Sequence, residues 1–157
     1  MKKVLISLFF IVVSYPLIGQ SKNQLNDLIT ECLHLFIEYD SDLQNKTDNN
    51  NVIYICKDGL PLDFPYNLFP DYSFFSLEYN QYNSNVCKKS FQNEVSSYFV
   101  CYELMNNQIS IIVSKRSIKT FNRKRMEVGI SDWGKYLFVF SCSTSEWQLM
   151  NTQYGGV

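Results

Sequence analysis

The chain has 157 residues, with 14 lysines and arginines, 15 aspartates and glutamates, and a formal net charge of -1. This length fits one domain that buries a hydrophobic core, so the fold does not need disulfides or a metal to hold it. The overall charge argues against a nucleic-acid-binding protein, because such proteins are usually basic.

The N-terminus has the three-part pattern of an export signal. A charged start, Met1–Lys3, precedes the apolar run Val4–Val13, and the small residue Gly19 follows. The apolar run is shorter than the roughly 20 residues that a membrane-spanning helix needs. We therefore predict a signal peptide at residues 1–19, a single domain at residues 20–157, a periplasmic or secreted location, and no transmembrane segment after processing.

The cysteines do not form a redox or zinc motif. There are five of them, none in a C-x-x-C spacing. Their odd number means that in an oxidising compartment at least one is free or pairs between molecules. Cys32 and Cys101 fall on apolar positions, where cysteine commonly behaves as a small buried hydrophobe. The sequence leaves open whether any of the five are paired.

The clearest helix signal runs from Ser21 to Tyr39. Its apolar residues recur at spacings of three and four, which places them along one side of a helix. Ser21 followed by Gln24 predicts a capping-box start. The apolar stripe consists of Leu25, Leu28, Ile29, Cys32, Leu35, Phe36 and Tyr39.

The opposite side of this helix carries a Glu-x-x-His pair, Glu31 and His34. Di-iron bundles use such pairs, but they need further Glu and His ligands from other helices. His34 is the only histidine, and no second helix is predicted. We therefore interpret the pair as solvent-exposed and predict neither a metal site nor a cofactor.

The segment from Leu60 to Tyr82 combines three prolines with eight aromatic residues. Pro61, Pro65 and Pro70 argue against a long helix or a central strand, because each removes a backbone donor and fixes its own φ. Two interpretations stay open for the aromatic residues. They close one end of the core, or they form a recognition surface.

The last sixty residues have the pattern of an antiparallel meander. Asn106 and Asn107 predict a two-residue hairpin turn, and Asp132–Gly134 predicts a second turn. Shorter strands are predicted before the meander. In chain order, the predicted strands are Val52–Cys56, Ser73–Tyr79, Ser96–Met105, Gln108–Ile118, Arg123–Ile130, Lys135–Cys142 and Trp147–Tyr154.

A basic loop is predicted to interrupt the meander between Lys115 and Arg125, where six of the chain's 14 basic residues lie. Residues 115–157 carry a net charge of +4, against -7 for residues 20–114. One interpretation is a solvated hairpin tip or edge strand whose charges discourage aggregation. The other is a basic patch that meets an acidic protein, an anionic lipid head group or a polyanionic glycan. The predicted partner-binding residues are Lys115, Arg116, Lys119, Phe121, Arg123, Lys124 and Arg125.

Together these elements predict an α+β fold, with one N-terminal amphipathic helix packed on a curved antiparallel sheet of about five or six strands. This succession resembles that of cystatin-like and NTF2-like folds, by element order only. Because a fold does not determine a function, the resemblance implies no activity.

The sequence contains no recognisable catalytic arrangement. It has no G-x-S-x-G elbow, no phosphate-binding glycine loop and a single histidine. We therefore predict a non-catalytic exported protein that binds another protein, such as an inhibitor or an immunity protein that neutralises a toxin. The alternative is a small-ligand or hydrolase-like pocket between helix and sheet, lined by Phe36, Tyr66, Phe74 and Tyr98. The partner's identity and the oligomeric state stay open.

Overall fold

The computed structural model describes residues 17–43, 54–77, 94–122 and 125–156. They form one helix and one six-stranded sheet, which confirms the predicted α+β fold. Most of the predicted signal peptide lies outside the described residues. The elements are helix α1 (Leu17–Leu43) and strands β1 (Tyr54–Cys56), β2 (Ser73–Phe75), β3 (Val95–Met105), β4 (Gln108–Asn122), β5 (Arg125–Ser141) and β6 (Glu146–Gly156).

The sheet has the strand order β2-β1-β3-β4-β5-β6. Strands β3 to β6 form the predicted antiparallel meander. Strand β1, in contrast, pairs in parallel with both β2 and β3, so the sheet is mixed. Parallel neighbours need a connection of about a dozen residues or more. Residues 57–72 supply one between β1 and β2, with two short 3-10 turns in place of a crossover helix.

Helix α1 packs against one face of the sheet, which we call the inner face. Ile29, Cys32, Leu33 and Phe36 are fully buried there, and each large apolar side chain contributes about 1.5–3 kcal/mol on burial. The helix begins at Leu17, four residues before Ser21, so the predicted helix start at the capping box of Ser21 and Gln24 is wrong.

The other face of the sheet, the outer face, has a smaller core cluster formed by Tyr54, Cys56, Phe75, Val95, Phe99 and Ile118.

Strand β5 is longer than the sequence predicts. It runs without interruption through Asp132–Gly134, so the turn predicted there is wrong. The register against β4 changes at this point: Lys115 lies opposite Asp132, whereas Arg116 lies opposite Ile130. Ser131 is therefore an extra residue, a β-bulge that lets the strand continue with a change of register.

Gly134 has a packing role within β5. A Cβ atom at this position would lie 2.9 Å from Cδ2 of Phe36 on the helix and 2.9 Å from the hydroxyl oxygen of Tyr136. Both neighbours are fully buried and cannot readily move away. The absent side chain therefore permits the close approach of α1 to the sheet.

Among the described residues, no helix combines the length and the apolarity needed to cross a membrane.

We expect Gly134→Ala to lower the free energy of unfolding by about 1–3 kcal/mol, because the added methyl group overpacks the contact between helix and sheet. Gly129→Ala is the matched control on the same strand. Its Cβ would meet only the Ser117 hydroxyl, at 3.0 Å, and an effect within about 0.5 kcal/mol is expected. Urea denaturation measures both, and equal effects would contradict this role of Gly134.

Candidate functional site

The predicted basic loop consists largely of strand. Lys115–Asn122 is the second half of β4, and Arg125 begins β5. Strand β3 accompanies β4 only as far as Ile118, whereas the pairing with β5 continues to Asn122. The end of this hairpin is therefore a two-stranded ribbon that extends beyond β3. The sequence forms a strand here because its burial has a period of two: the buried residues Ile118 and Thr120 alternate with the exposed residues Lys119 and Phe121.

That alternation distributes the predicted partner-binding residues over both faces. Lys115 lies on the inner face and Arg116 on the outer face. Lys119 and Phe121 are exposed on the ribbon, with the lysine nitrogen 5.3 Å from the centre of the ring. Arg123 and Lys124 lie outside the described residues, and of Arg125 only the place at the start of β5 is described. The basic cluster in the sequence is thus divided by the sheet.

Lys115 connects the helix to the sheet. Its Nζ lies 2.9 Å and 3.0 Å from the two carboxylate oxygens of Asp40 near the end of α1, and both side chains are largely buried. The Tyr98 hydroxyl donates to the same carboxylate at 2.7 Å. Burial, followed by this hydrogen bond, raises the pKa of Tyr98 well above its usual range. These contacts give Lys115 a structural role, because its charge is already neutralised within the fold.

The four rings of the predicted small-ligand pocket pack in two pairs. Phe36 and Tyr98 are buried and meet edge to face, with ring centres 5.8 Å apart. Tyr66 and Phe74 meet in the same way at 4.7 Å and pack against the main core. All four residues therefore contribute packing contacts to the core.

Most described rings of the aromatic stretch pack in or against that core, which favours the first of its two interpretations, while Tyr79 and Tyr82 lie outside the described residues. Phe64 and Phe69 are buried in the core, and His34 stacks on Phe69 with ring centres 4.6 Å apart. The Asn26 side chain donates to the backbone oxygen of Asp63 at 3.2 Å and fixes the stretch to the helix.

No group of three or more potential metal-ligating side chains occurs among the described residues.

The outer face carries a groove that the sequence did not predict. It has a volume of about 300 Å³. We call it the outer groove. Its lining consists of Ile112, Ser114, Arg116, Ile130, Trp133 and Lys135, with no carboxylate among them.

A row of alternating large and small residues crosses four strands beneath the outer groove. Phe99 lies opposite Ser114, Ser114 opposite Trp133, and Trp133 opposite Gly155. A Cβ on Gly155 would lie 2.5 Å from the Trp133 ring, so the indole occupies the space over this glycine. The short side chain of Ser114 then leaves a depression between the two rings.

Two cations border the outer groove. The Arg116 Nε donates to the Ser114 hydroxyl at 3.1 Å, and its guanidinium carbon lies 4.5 Å from the centre of the Phe99 ring. Lys135 is exposed at the other end. Neither forms an ion pair with any residue that the structure describes. Within the described part of the chain, the site therefore presents two positive charges without an ion-pair partner beside apolar side chains.

The four described cysteines are all free. Cys32 and Cys56 are buried, and burial raises the pKa of Cys32 strongly and that of Cys56 to about 11. Both therefore remain protonated thiols near neutral pH and are poor nucleophiles. Cys101 and Cys142 are exposed, and Cys87 lies outside the described residues.

Comparison of the chain with protein-family models, with curated proteins and with solved structures found no match.

We expect Lys115→Met to lower the free energy of unfolding by about 3 kcal/mol or more, because it removes the positive charge that pairs with the buried Asp40 carboxylate. Lys119→Met, at an exposed position four residues further along the same strand, should cost less than about 1 kcal/mol. Urea denaturation compares the two. A similar small loss in both would mean that the buried ion pair is not a structural contact.

Tyr136 gives a pH-dependent prediction. Burial raises its pKa well above the usual value of a tyrosine, and the hydroxyl contact with Tyr154 at 3.5 Å acts in the same direction. The folded chain retains this proton, while the unfolded chain releases it above about pH 10. The contribution to stability is therefore complete below about pH 10 and is lost as the pH rises further.

Tyr136→Phe should make the decline of unfolding free energy between about pH 10 and pH 11.5 shallower, by up to about 1.4 kcal/mol per pH unit. Tyr102→Phe, at a position that is 44% exposed, is the matched control and should leave the slope unchanged. Urea denaturation at several pH values tests this. Identical slopes for wild type and Tyr136→Phe would count against it.

Proposed function

We propose that this is an exported, non-catalytic protein that binds another protein, such as an inhibitor or an immunity protein that neutralises a toxin. The observation that carries the proposal is the outer groove, where two cations without an ion-pair partner among the described residues border an apolar surface. The partner would contact the outer face, on the opposite side of the sheet from α1.

The exposed apolar side chains support a protein partner. Ile112, Val128 and Ile130 on this face are 37%, 38% and 49% exposed. A cluster of exposed aliphatic side chains on one sheet face is typical of an interaction surface. Trp133 and Arg116 belong to the residue types that are enriched at such interfaces.

The surroundings of the polar residues support a non-catalytic role. The ring of His34 stacks on Phe69, and burial keeps the thiols of Cys32 and Cys56 protonated. Asp58, in the turn after β1, accepts hydrogen bonds from the Ser76 hydroxyl and from the backbone N–H of Leu77. These side chains take part in packing or in holding the backbone. The packing of Phe36, Tyr66, Phe74 and Tyr98 in and against the main core gives no support to the alternative of a small-ligand pocket.

Site-specific photocrosslinking in the cells that make the protein tests the proposal. A photoreactive benzoylphenylalanine in place of Ile130 should give one discrete adduct with another protein. The same replacement at Leu62, which is fully exposed on the connection between β1 and β2, is the control and should not give it. No adduct from position 130, or the same adduct from both positions, would overturn the proposal.

A further inference from the structure

We propose that the outer groove binds one acidic side chain of the partner, whose carboxylate contacts the terminal nitrogens of Arg116 while its aliphatic part lies against Trp133 and Ile130. This inference rests on the proposed function, because it specifies the chemistry of the partner at that same surface. It follows from the way Arg116 is held, from the directions in which the neighbouring side chains lean and from the charge of the groove.

Arg116 is held by two contacts on the outer face. Its Nε donates to the Ser114 hydroxyl at 3.1 Å, and its guanidinium carbon lies 4.5 Å from the centre of the Phe99 ring. The charge of Arg116 therefore lies beside the serine, in the middle of the groove. A side chain that is already held loses less conformational freedom when a ligand binds to it.

The terminal nitrogens of Arg116 remain available to a ligand. Neither of them makes a hydrogen bond to a described residue. Together they form a planar fork, whose N–H groups match the two oxygens of a carboxylate through parallel hydrogen bonds. A lysine at this place would supply a point charge without that geometry. The Arg116 fork is therefore the part of the groove that recognises the anion.

The large side chains beside Ser114 lean in opposite directions. Arg116 lies over Phe99 on β3, whereas the Trp133 indole occupies the space over Gly155 on β6. Both lean away from the boundary between β4 and β5. The groove runs along this boundary, because all of its lining residues belong to these two strands.

Ile130 adds an apolar wall next to the guanidinium group. It lies opposite Arg116 on β5, and the arginine, which leans toward β3, leaves it 49% exposed. The partly exposed indole of Trp133 continues this wall. The methylene groups of an acidic side chain would remove apolar surface of both residues from water, which favours binding.

The charge of the groove favours an acidic ligand. Lys135 lines it as a second cation, and no carboxylate does. Asp132, although next to Trp133 in sequence, lies opposite Lys115 and therefore on the inner face. A carboxylate of the partner would thus meet a positive potential without competition from an acidic residue of the lining.

A titration followed by nuclear magnetic resonance tests the inference on the unmodified protein. The probe is N-acetylglutamate N-methylamide, and sodium chloride at the same concentration corrects for ionic strength. The Nε–H signal of Arg116 and the indole N–H signal of Trp133 should shift to saturation at probe concentrations up to about 100 mM. The indole signal of Trp147, which packs against the main core on the inner face, should not shift.

The neutral analogue of the probe isolates the contribution of the carboxylate. N-acetylglutamine N-methylamide has nearly the same shape, but it should bind at least about tenfold more weakly because the charge-assisted contact is lost. Equal affinity for the two probes would overturn the inference.

Substitutions in the protein test the fork itself. Arg116→Lys keeps the charge without the fork and should weaken binding of the glutamate probe by at least about fivefold. Ser114→Ala removes the hydrogen bond that positions Nε and should weaken it by about threefold. Lys119→Gln, an exposed cation on the ribbon, should change it by less than about twofold. Wild-type affinity in either of the first two variants, or an equal loss in the third, would overturn the inference.

The same variants connect the fork to the partner. In cells, the adduct from position 130 should fall at least about fivefold in Arg116→Lys and persist in Lys119→Gln. If Arg116→Lys leaves the adduct unchanged, protein binding stands and only the acidic-side-chain chemistry is wrong. If the glutamate probe binds but no adduct forms, the fork belongs to a small carboxylate ligand, and both proposals are wrong.

The remaining outcomes assign the outer groove to other occupants and would also overturn the inference. A Trp133 shift that appears on concentrating the protein alone indicates a second copy. Inorganic phosphate that binds more tightly than the glutamate probe indicates a phosphate group as the ligand. A shift with phosphatidylglycerol vesicles but not with the probe indicates a membrane surface.

Discussion

The fold depends on the close packing of its single helix against the inner face of the sheet. Phe36 approaches strand β5 closely at Gly134, and the buried ion pair of Asp40 and Lys115 holds the next part of the helix. One helix covers one face of a sheet, so the outer face of the meander has no helix over it in the described part of the chain. Part of the outer face is buried in the smaller core cluster, whereas Ile112 and Ile130 on the same face are 37% and 49% exposed.

The same packing determines what the basic residues can do. A strand directs successive side chains to opposite faces, so Lys115 and Arg116, adjacent in sequence, are placed in different surroundings. Lys115 is neutralised by a buried carboxylate, whereas Arg116 lies over an aromatic ring beside the outer groove. A count of charges along the chain suggested one basic patch. The folded chain instead has a structural lysine, a guanidinium at a groove and a separate ribbon.

The sequence was a good guide where local patterns decide structure. The apolar stripe of α1, the alternation in the meander and the turn at Asn106 and Asn107 all predict elements that the structure contains. It was a poor guide where distant residues decide. Asp132–Gly134 has the composition of a turn, but Gly134 is required by a helix about a hundred residues earlier in the chain, and no local signal distinguishes the two roles. The parallel pairing of β1 is likewise a contact between distant segments.

The candidate site was missed for the same reason, and the bulge at Ser131 shows how. Without it, Ser131 would lie opposite Arg116 on the outer face, and Ile130 would point to the inner face, because a shift of one residue exchanges the faces of a strand. With the bulge, Ile130 lies opposite Arg116 and lines the groove. Gly129 and Glu127 are correspondingly aligned with Ser117 and Lys119 on the other side of the ribbon. A single extra residue thus places an aliphatic side chain beside the Arg116 guanidinium, and this combination makes the outer face a candidate for recognition instead of an ordinary solvated surface.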